Sequence, residues 1–372
     1  MSSSWGKNFK ISVFGESHGR SIGVVLDGVP AGLTLDMEEL NAFMQRRAPG
    51  KNKASTPRKE LDSPQIQSGF YKGVTTGTPL CAVILNGDQH SADYTQFASV
   101  ARPGHADYTG FLRYAGYNDV RGGGHFSGRL TAPLCFAGGV AKQLLAREGI
   151  LVGAHACRIA GIDDRRFDPV SLGKETLLCA ASRSFPTLDE AAGNRMAQAI
   201  EEARLAQDSV GGVVECGVTG LSAGIGSPMF DGLENTVASI VFGIPAVKGL
   251  EFGAGFAASD LRGSENNDPF ALKNGKIAAE TNNAGGILGG ISTGMPVILR
   301  VAFKPTPSIS QEQQTVDFRA HTQGNVSIHG RHDPCVVVRA VPVVEAAVAI
   351  AVAEALLDAR GYEGLRATTH QN

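Results

Sequence analysis

The chain has 372 residues, of which 42% are hydrophobic and 19% are charged, and its formal net charge at pH 7 is −2. This length exceeds the ~250–300 residues of a usual single core, so we expect two domains or one large layered domain. The small net charge argues against nucleic-acid binding, and 47 glycines without collagen's period predict many tight turns. No proline- or serine-rich linker divides the chain, so residues 1–372 are treated as one domain.

Cysteine spacing and the N-terminus indicate the cellular compartment. The six cysteines are widely spaced without a CxxC pair, so we predict buried reduced thiols and no metal site. No basic region followed by an apolar stretch opens the sequence, which predicts a cytoplasmic protein. The most apolar long run, Val341 to Leu357, contains Glu345 and Glu354, and this favours a core helix over a membrane span.

Apolar runs and helical periodicity predict the main elements. In chain order they are strands at Lys10–Phe14 and Ile22–Leu26, a helix from Asp36 to Arg47, a strand at Leu80–Leu85, a helix at Thr131–Arg147, a strand at Leu151–Ile159, a helix at Leu188–Arg204, a strand at Val213–Val218, a helix at Leu233–Phe242, strands at Val247–Phe252 and Pro296–Phe303, and a helix at Val343–Ala359. These elements do not alternate as regular βα units, so we predict a layered α+β architecture with a helical core.

Two local signals refine this interpretation. Asp36 takes the N-cap role of a capping box that ends at Glu39, and Pro49 and Gly50 stop the helix. The segment from residue 24 to 33 is loosely echoed at residues 214–221, which hints at an internal duplication of half the chain.

Three glycine-rich segments contain histidine. They are Gly15–Gly19, Arg102–Tyr108 and Arg121–Arg129. Glycine allows close backbone approach, histidine titrates near neutral pH and arginine binds phosphate or carboxylate, so each segment suits an anion-handling site. The first also matches the nucleophile elbow of α/β-hydrolases, with Ser17 as nucleophile, but a strand-like run follows it instead of the required helix. Asp107 lies close enough in sequence to orient His105.

Further segments carry cations and glycines. Residues 46–59 contain six basic residues and no acid, which fits either a flap over an anionic substrate or a plain solvated surface. Residues 282–294 contain five glycines, which suit either backbone packing or a phosphate cradle. Lys304–Ser308 adds a cation and hydroxyls at a strand end, and Arg331–Cys335 adds a cation, an imidazole and a carboxylate.

Taken together, these segments and Ala246–Gly249 closely resemble the chorismate synthase family, in family order and over the full length. The resemblance implies conversion of 5-enolpyruvylshikimate 3-phosphate to chorismate and phosphate with reduced FMN. It also implies a homotetramer whose subunit is a β-α-β sandwich, with a helical core between two antiparallel sheets. The protein's share of the chemistry would be placement, charge and proton supply.

Residue roles carry over by position. The resemblance implies that His18 protonates the departing phosphate, that His105 protonates or stabilises reduced flavin and that Asp333 assists proton removal. Substrate contacts are implied for Arg47, Lys53 and Arg129. Flavin contacts are implied for Ala246, Gly289, Lys304, Thr306, Ser308 and Arg331, with Pro305 and Pro307 in the same segment and Ser127 as a further candidate.

The chain departs from the commoner family pattern at two places. His125 and Phe126 follow the triple glycine where the family has Arg-Ser, and Pro245 replaces the usual Asn before Ala246. We expect these three residues to hold flavin in a branch-specific way. Whether NADPH acts as an intrinsic or an external reductant stays open, and the alternatives of a serine hydrolase or a non-catalytic phosphate-binding protein are left to experiment.

Overall fold

The computed structural model of the chain describes residues 3–50, 62–87, 97–273, 275–328 and 332–365. The strands are β1 (Ser4–Trp5), β2 (Lys10–Gly15), β3 (Ser21–Asp27), β4 (Gln65–Ser68), β5 (Phe70–Tyr71), β6 (Val74–Thr75), β7 (Leu80–Leu85), β8 (Leu151–Ile159), β9 (Ile162–Asp163), β10 (Gly212–Thr219), β11 (Val247–Phe252), β12 (Phe270–Lys273), β13 (Lys276–Ala279), β14 (Ile287–Leu288), β15 (Ile291–Ser292), β16 (Val297–Phe303), β17 (Gln313–Asp317) and β18 (Thr322–Val326). The α-helices are α1 (Met37–Arg47), α2 (Asp107–Arg113), α3 (Thr131–Arg147), α4 (Lys174–Cys179), α5 (Glu190–Leu205), α6 (Leu233–Val241), α7 (Gly263–Asn266) and α8 (Val337–Leu365).

Two five-stranded antiparallel sheets form the outer layers of the fold. The first has the order β1-β2-β3-β7-β4 and the second has the order β11-β16-β10-β8-β9. All seven predicted strands are found in these two sheets. The two segments of the sequence echo overlap the ends of β3 and β10, and each of these is the central strand of its sheet. This equivalence supports the predicted internal duplication.

Helices α3 and α8 lie between the sheets. Helix α3 packs on β2, β3 and β7, and α8 packs on β8 and β10. The two helices also pack closely against each other. Gly138 of α3 makes this helix–helix contact possible, because a Cβ added there would overlap Ala346 of α8. The part of α8 from Val337 to Gly361 is apolar and long enough to span a membrane, but its apolar window is completely buried within the protein. The predicted α+β sandwich with a helical core is therefore confirmed.

Two helix starts show where the structure goes beyond the sequence-based expectations. Asp36 caps α1 as predicted, and its carboxylate accepts from the backbone N–H of Glu38 and of Glu39 at 2.9 Å. The backbone N–H of Asp36 donates to Gln143 of α3 at 2.9 Å, so a tertiary contact takes the place of the reciprocal bond of a capping box. Helix α8 begins at Val337, before Pro342 instead of after it. Pro342 therefore lies inside the helix, where its ring nitrogen cannot donate to the carbonyl four residues earlier.

A buried histidine lies on the outer face of the second sheet. His155 of β8 is fully buried, and its Nδ1 and Nε2 lie 2.9 Å from Asp164 and 3.0 Å from Glu215. Burial lowers the pKa of His155, but hydrogen bonds to the two carboxylates outweigh it, so this pKa is raised. The imidazolium thus cross-links Asp164, which follows β9, to Glu215 of β10.

We expect His155→Gln to lower the free energy of unfolding by about 1–3 kcal/mol, because a buried carboxylate loses its partner. A raised folded-state pKa contributes stability that is fully present below the unfolded value of 6.5 and is lost as the pH rises through the folded value. The difference between wild type and variant should therefore shrink at alkaline pH. Urea unfolding of both proteins below and above pH 6.5 measures this difference in stability. A difference that grows with pH would contradict a raised pKa for His155.

Candidate functional site

One cavity of about 580 Å³ gathers most of the predicted site residues. Its wall combines the end of α1, the start of α8 and some of the residues in the ranges 102–106, 122–131, 242–248 and 303–308. The predicted residues that line it are Arg47, His105, His125, Phe126, Ser127, Arg129, Pro245, Ala246, Lys304, Thr306, Pro307, Ser308 and Asp333. Segments from both halves of the chain therefore meet at one site.

The remaining predicted residues lie elsewhere. His18 is buried behind the cavity wall and does not line the cavity. Pro305 packs against Gly211, and Gly289 lies exposed in the turn between β14 and β15, which packs on residues 226–233. Within this chain, Pro305 and Gly289 are thus not part of the cavity. Lys53 and Arg331 lie outside the described residues.

A triple-glycine turn separates two of the predicted histidines. Gly122, Gly123 and Gly124 have φ values of 61°, 89° and 54°, a left-handed conformation that favours glycine. A Cβ at Gly122 would overlap the imidazole of His18, and one at Gly123 would lie 3.1 Å from the ring of His105. The two imidazoles therefore pack against adjacent residues of one turn, which explains the need for glycine here.

His18 sits in a tight turn between β2 and β3. Its Nδ1 lies 3.0 Å from the hydroxyl of Ser17, and the backbone N–H of Ser17 donates to the carbonyl of Gly124 at 3.1 Å. Both side chains are only 4% exposed. A strand follows the turn, so the strand-turn-helix geometry of the hydrolase elbow is missing, and the Ser17 nucleophile hypothesis loses its structural basis.

His105 is oriented by a buried ion pair. Its Nδ1 lies 2.9 Å from Oδ1 of Asp107, and the guanidinium of Arg102 donates to both oxygens of that carboxylate at 2.7 Å. Burial raises the pKa of Asp107, but hydrogen bonds from Arg102 and His105 outweigh it and hold this pKa far below its usual range. Nδ1 of His105 also lies 3.2 Å from Nη2 of Arg102, but its shorter contact is with the ionised carboxylate, which only accepts. This contact favours a proton on Nδ1 and leaves Nε2 as the atom that can exchange one.

Two arginines of the cavity wall share one carboxylate. Arg47 and Arg129 each form an ion pair with Asp62, a residue that is 2% exposed. Burial raises the pKa of Asp62, but the two guanidinium groups outweigh it and lower this pKa. Arg47 also donates to Thr131 at 3.1 Å. Two positive charges against one negative charge leave this wall cationic, as an anion site requires.

The sequence did not single out Arg339, which also lines the cavity. Its guanidinium donates to Asp333 at 2.5 Å and to the backbone carbonyl of Arg47 at 3.0 Å. Burial lowers the pKa of Arg339, although Asp333 opposes this effect. Arg339 thus joins the predicted carboxylate of Asp333 to the cationic wall. Its signal was weak, because it stands alone near the start of an apolar helix.

The segment after β16 supplies polar groups to the cavity. Lys304 donates to the carbonyl of Gly104. Its pKa is lowered, mainly by burial and to a smaller extent by repulsion from Lys248. Oγ1 of Thr306 is buried and has no hydrogen-bond partner among the described residues. Ala246 has a φ of 73°, which is strained for a residue with a Cβ, and its carbonyl accepts from the backbone of Lys304 at 3.0 Å.

The residues that depart from the family pattern are tied to the same wall. Nδ1 of His125 lies 2.8 Å from the carbonyl oxygen of Gly15, and its Nε2 lies 2.7 Å from the hydroxyl of Ser3. Phe126 lies 6.1 Å from Tyr114, measured between ring centroids. His125 therefore joins the triple-glycine turn to the strand end that leads into the His18 turn.

Comparison with known proteins gives a consistent result. Residues 9–357 match the chorismate synthase family. The chorismate synthase of Thermococcus kodakarensis is 47% identical over 360 residues, covering 97% of this chain and 99% of the relative. That of Dehalococcoides mccartyi strain BAV1 is 48% identical over 359 residues, covering 96% and 98%. A crystal structure of a chorismate synthase superposes with a TM-score of 0.74 at 27% identity, covering 96% of this chain and 94% of that one. The chain belongs to the chorismate synthase family.

Proposed function

We propose that this chain catalyses the anti-1,4-elimination of phosphate from 5-enolpyruvylshikimate 3-phosphate to give chorismate, in aromatic amino acid biosynthesis. Membership of the family supplies the reaction, which makes the chain a lyase. One observation carries the proposal: the rings of His18 and His105 pack against the adjacent glycines Gly122 and Gly123. The cavity wall beside this turn contains Arg47 and Arg129. Acid–base groups next to a cationic wall suit the loss of an anionic leaving group.

In this proposal, some charged side chains bind the substrate and others transfer protons. Arg47 and Arg129, with Lys53, bind the phosphate and carboxylates of the substrate, because guanidinium groups bind such oxygens bidentately. The resemblance assigns the proton for the departing phosphate to His18, and this role stays a prediction because its ring packs behind Gly122 and does not line the cavity. His105 exchanges a proton at Nε2 while its Nδ1 stays bonded to Asp107. Asp333, oriented by Arg339, assists removal of the ring proton.

The cavity's donor groups suit reduced FMN. Thr306 offers a buried hydroxyl without a hydrogen-bond partner among the described residues, and Lys304 and Lys248 add positive charge for a phosphate. We propose that these residues bind the cofactor, together with Ala246, Ser127 and Ser308. When bound, reduced flavin lends the electron density that a side-chain base lacks for an unactivated ring proton. Contacts from Gly289, Pro305 and Arg331 stay predictions.

An anaerobic assay tests this function. With dithionite-reduced FMN, we expect the protein to release phosphate from its substrate and to form chorismate. Binding without turnover by the folded protein would favour a non-catalytic phosphate-binding role. Covalent labelling of Ser17 by a fluorophosphonate would favour a hydrolase. Repeating the assay with NADPH as the only reductant decides whether the chain reduces its own flavin.

The assembly and compartment are also proposals. The β12–β13 hairpin exposes Phe270, Leu272 and Ile277 at 64%, 78% and 73% of their surfaces, which favours burial against another subunit of a homotetramer. Sedimentation equilibrium measures this mass. The cytoplasmic location and the absence of a nucleic-acid or membrane partner stay predictions.

A further inference from the structure

Asn86 is the first residue after β7 and bonds to two parts of the site at once. Its side-chain Nδ2 donates to the backbone carbonyl of Glu16 at 3.1 Å and to that of Gly19 at 2.9 Å. Its Oδ1 accepts from Nε of Arg129 at 3.1 Å. The NH2 group of the amide thus bonds to the His18 turn, and its oxygen bonds to Arg129.

These bonds fix the orientation of the amide. Two carbonyl oxygens face one end of the side chain, and a guanidinium, which only donates, faces the other end. A flipped amide would set oxygen against two oxygens and an NH2 group against a cation. The arrangement therefore requires asparagine and not merely a polar residue of similar size.

The two carbonyl groups belong to the first and last residues of the turn that contains His18. The turn is also closed by the bond from the backbone N–H of Gly19 to the carbonyl of Glu16 at 3.0 Å. Because Asn86 holds both ends of this turn, it limits how far His18 can move. Through its oxygen it fixes the same turn relative to Arg129.

We propose that Asn86 is a positioning residue, which sets the distance between the proton donor His18 and the anion-binding guanidinium of Arg129. The inference rests on the roles proposed above for these two residues. A shift of about 1 Å between reacting groups can cost ~10²-fold in rate, so a residue that touches neither substrate nor proton can still control turnover.

Asn86→Asp and Asn86→Ala remove different sets of these bonds. Aspartate keeps an acceptor for Arg129 but loses both donors to the turn, whereas Asn86→Ala loses all three bonds. We expect Asn86→Asp to lower kcat by about 10–10²-fold and to raise KM as well, because its new carboxylate pairs with Arg129 and competes with the anionic substrate. Asn86→Ala should lower kcat and also raise KM, since Arg129 loses a support. The exposed Asn325→Asp is the matched control and should leave both constants unchanged.

Two further measurements exclude a merely structural effect. Amide hydrogen exchange at residues 17–19, measured without substrate, should accelerate in Asn86→Asp while the thermal midpoint shows the protein folded. In a His18→Ala background, adding Asn86→Asp should cause little further loss, because the residue acts through His18. A folded Asn86→Asp or Asn86→Ala variant with wild-type kcat, or full additivity in the double variant, would overturn the proposal. If the wild type shows no turnover, the proposed function fails, and unchanged exchange would then overturn the role of Asn86 independently.

Discussion

Substitution of His105 by alanine is expected to lower kcat by ~10²–10⁴-fold while substrate binding persists, the range typical of lost acid–base catalysis. The ring lines the cavity and contacts no arginine that we assign to the substrate, so its loss should affect the chemical step more than binding. Anaerobic single-turnover kinetics with reduced FMN measure the step, and calorimetry measures binding. A folded variant with the wild-type rate would remove His105 from the mechanism.

Asp107→Asn is the companion test of how His105 is oriented. The amide keeps the shape of the carboxylate but removes the charge that fixes a proton on Nδ1 and that pairs with Arg102. We expect a smaller loss of kcat than in His105→Ala and an altered pH–rate profile. Exposed Asp260→Asn is the control and should leave the profile unchanged. An unaltered profile in Asp107→Asn would assign the carboxylate to folding alone.

The largest effect on stability is expected for Glu345→Ala. Glu345 of α8 is 1% exposed and accepts from Arg46 of α1 at 2.5 and 2.9 Å and from Lys142 of α3 at 2.5 Å. Removing the carboxylate leaves two cations facing each other between the helices, which should cost about 3–5 kcal/mol of the free energy of unfolding. Asp231→Ala, which breaks an exposed pair with Lys7, should change it by less than about 1 kcal/mol.

The pH dependence of the same site has a defined sign. Burial raises the pKa of Glu345, but Arg46 and Lys142 outweigh it and lower this pKa from 4.5 to about 2. A lowered folded-state pKa contributes stability that is present above 4.5 and is lost as the pH falls toward 2. Guanidinium unfolding across this acidic range should therefore show wild type and Glu345→Ala converging. A constant difference would contradict the assignment.

Long elements of this fold could be predicted from the sequence, whereas short ones could not. Strand β7 has the predicted bounds, and β3 extends the prediction by one residue at each end, because apolar runs of this length give a clear signal. Hairpins whose strands have only two to five residues, such as β14–β15 and β17–β18, are too short to show a hydrophobic pattern. Sheet membership was also beyond the sequence, since the β10–β16 pairing joins segments far apart in the chain.

The site was predictable where its chemistry is local. His105, Asp107 and Arg102 lie within six residues and form one hydrogen-bonded group, as the sequence suggested. Asp62 and Asn86 were missed because each acts through partners that only tertiary structure brings near. The burial of His18 behind Gly122 was hidden for the same reason.

The construction of the cavity wall from both halves of the chain links ligand occupancy to the whole fold. A ligand at about 100 times its Kd adds ~2.7 kcal/mol to the native state, and here that gain is shared by both sheets. Saturation should therefore slow amide exchange in β3 and β10 together instead of protecting one region. A proteolytic fragment with a single sheet would keep its hydrophobic strands and yet gain no protection from the ligand.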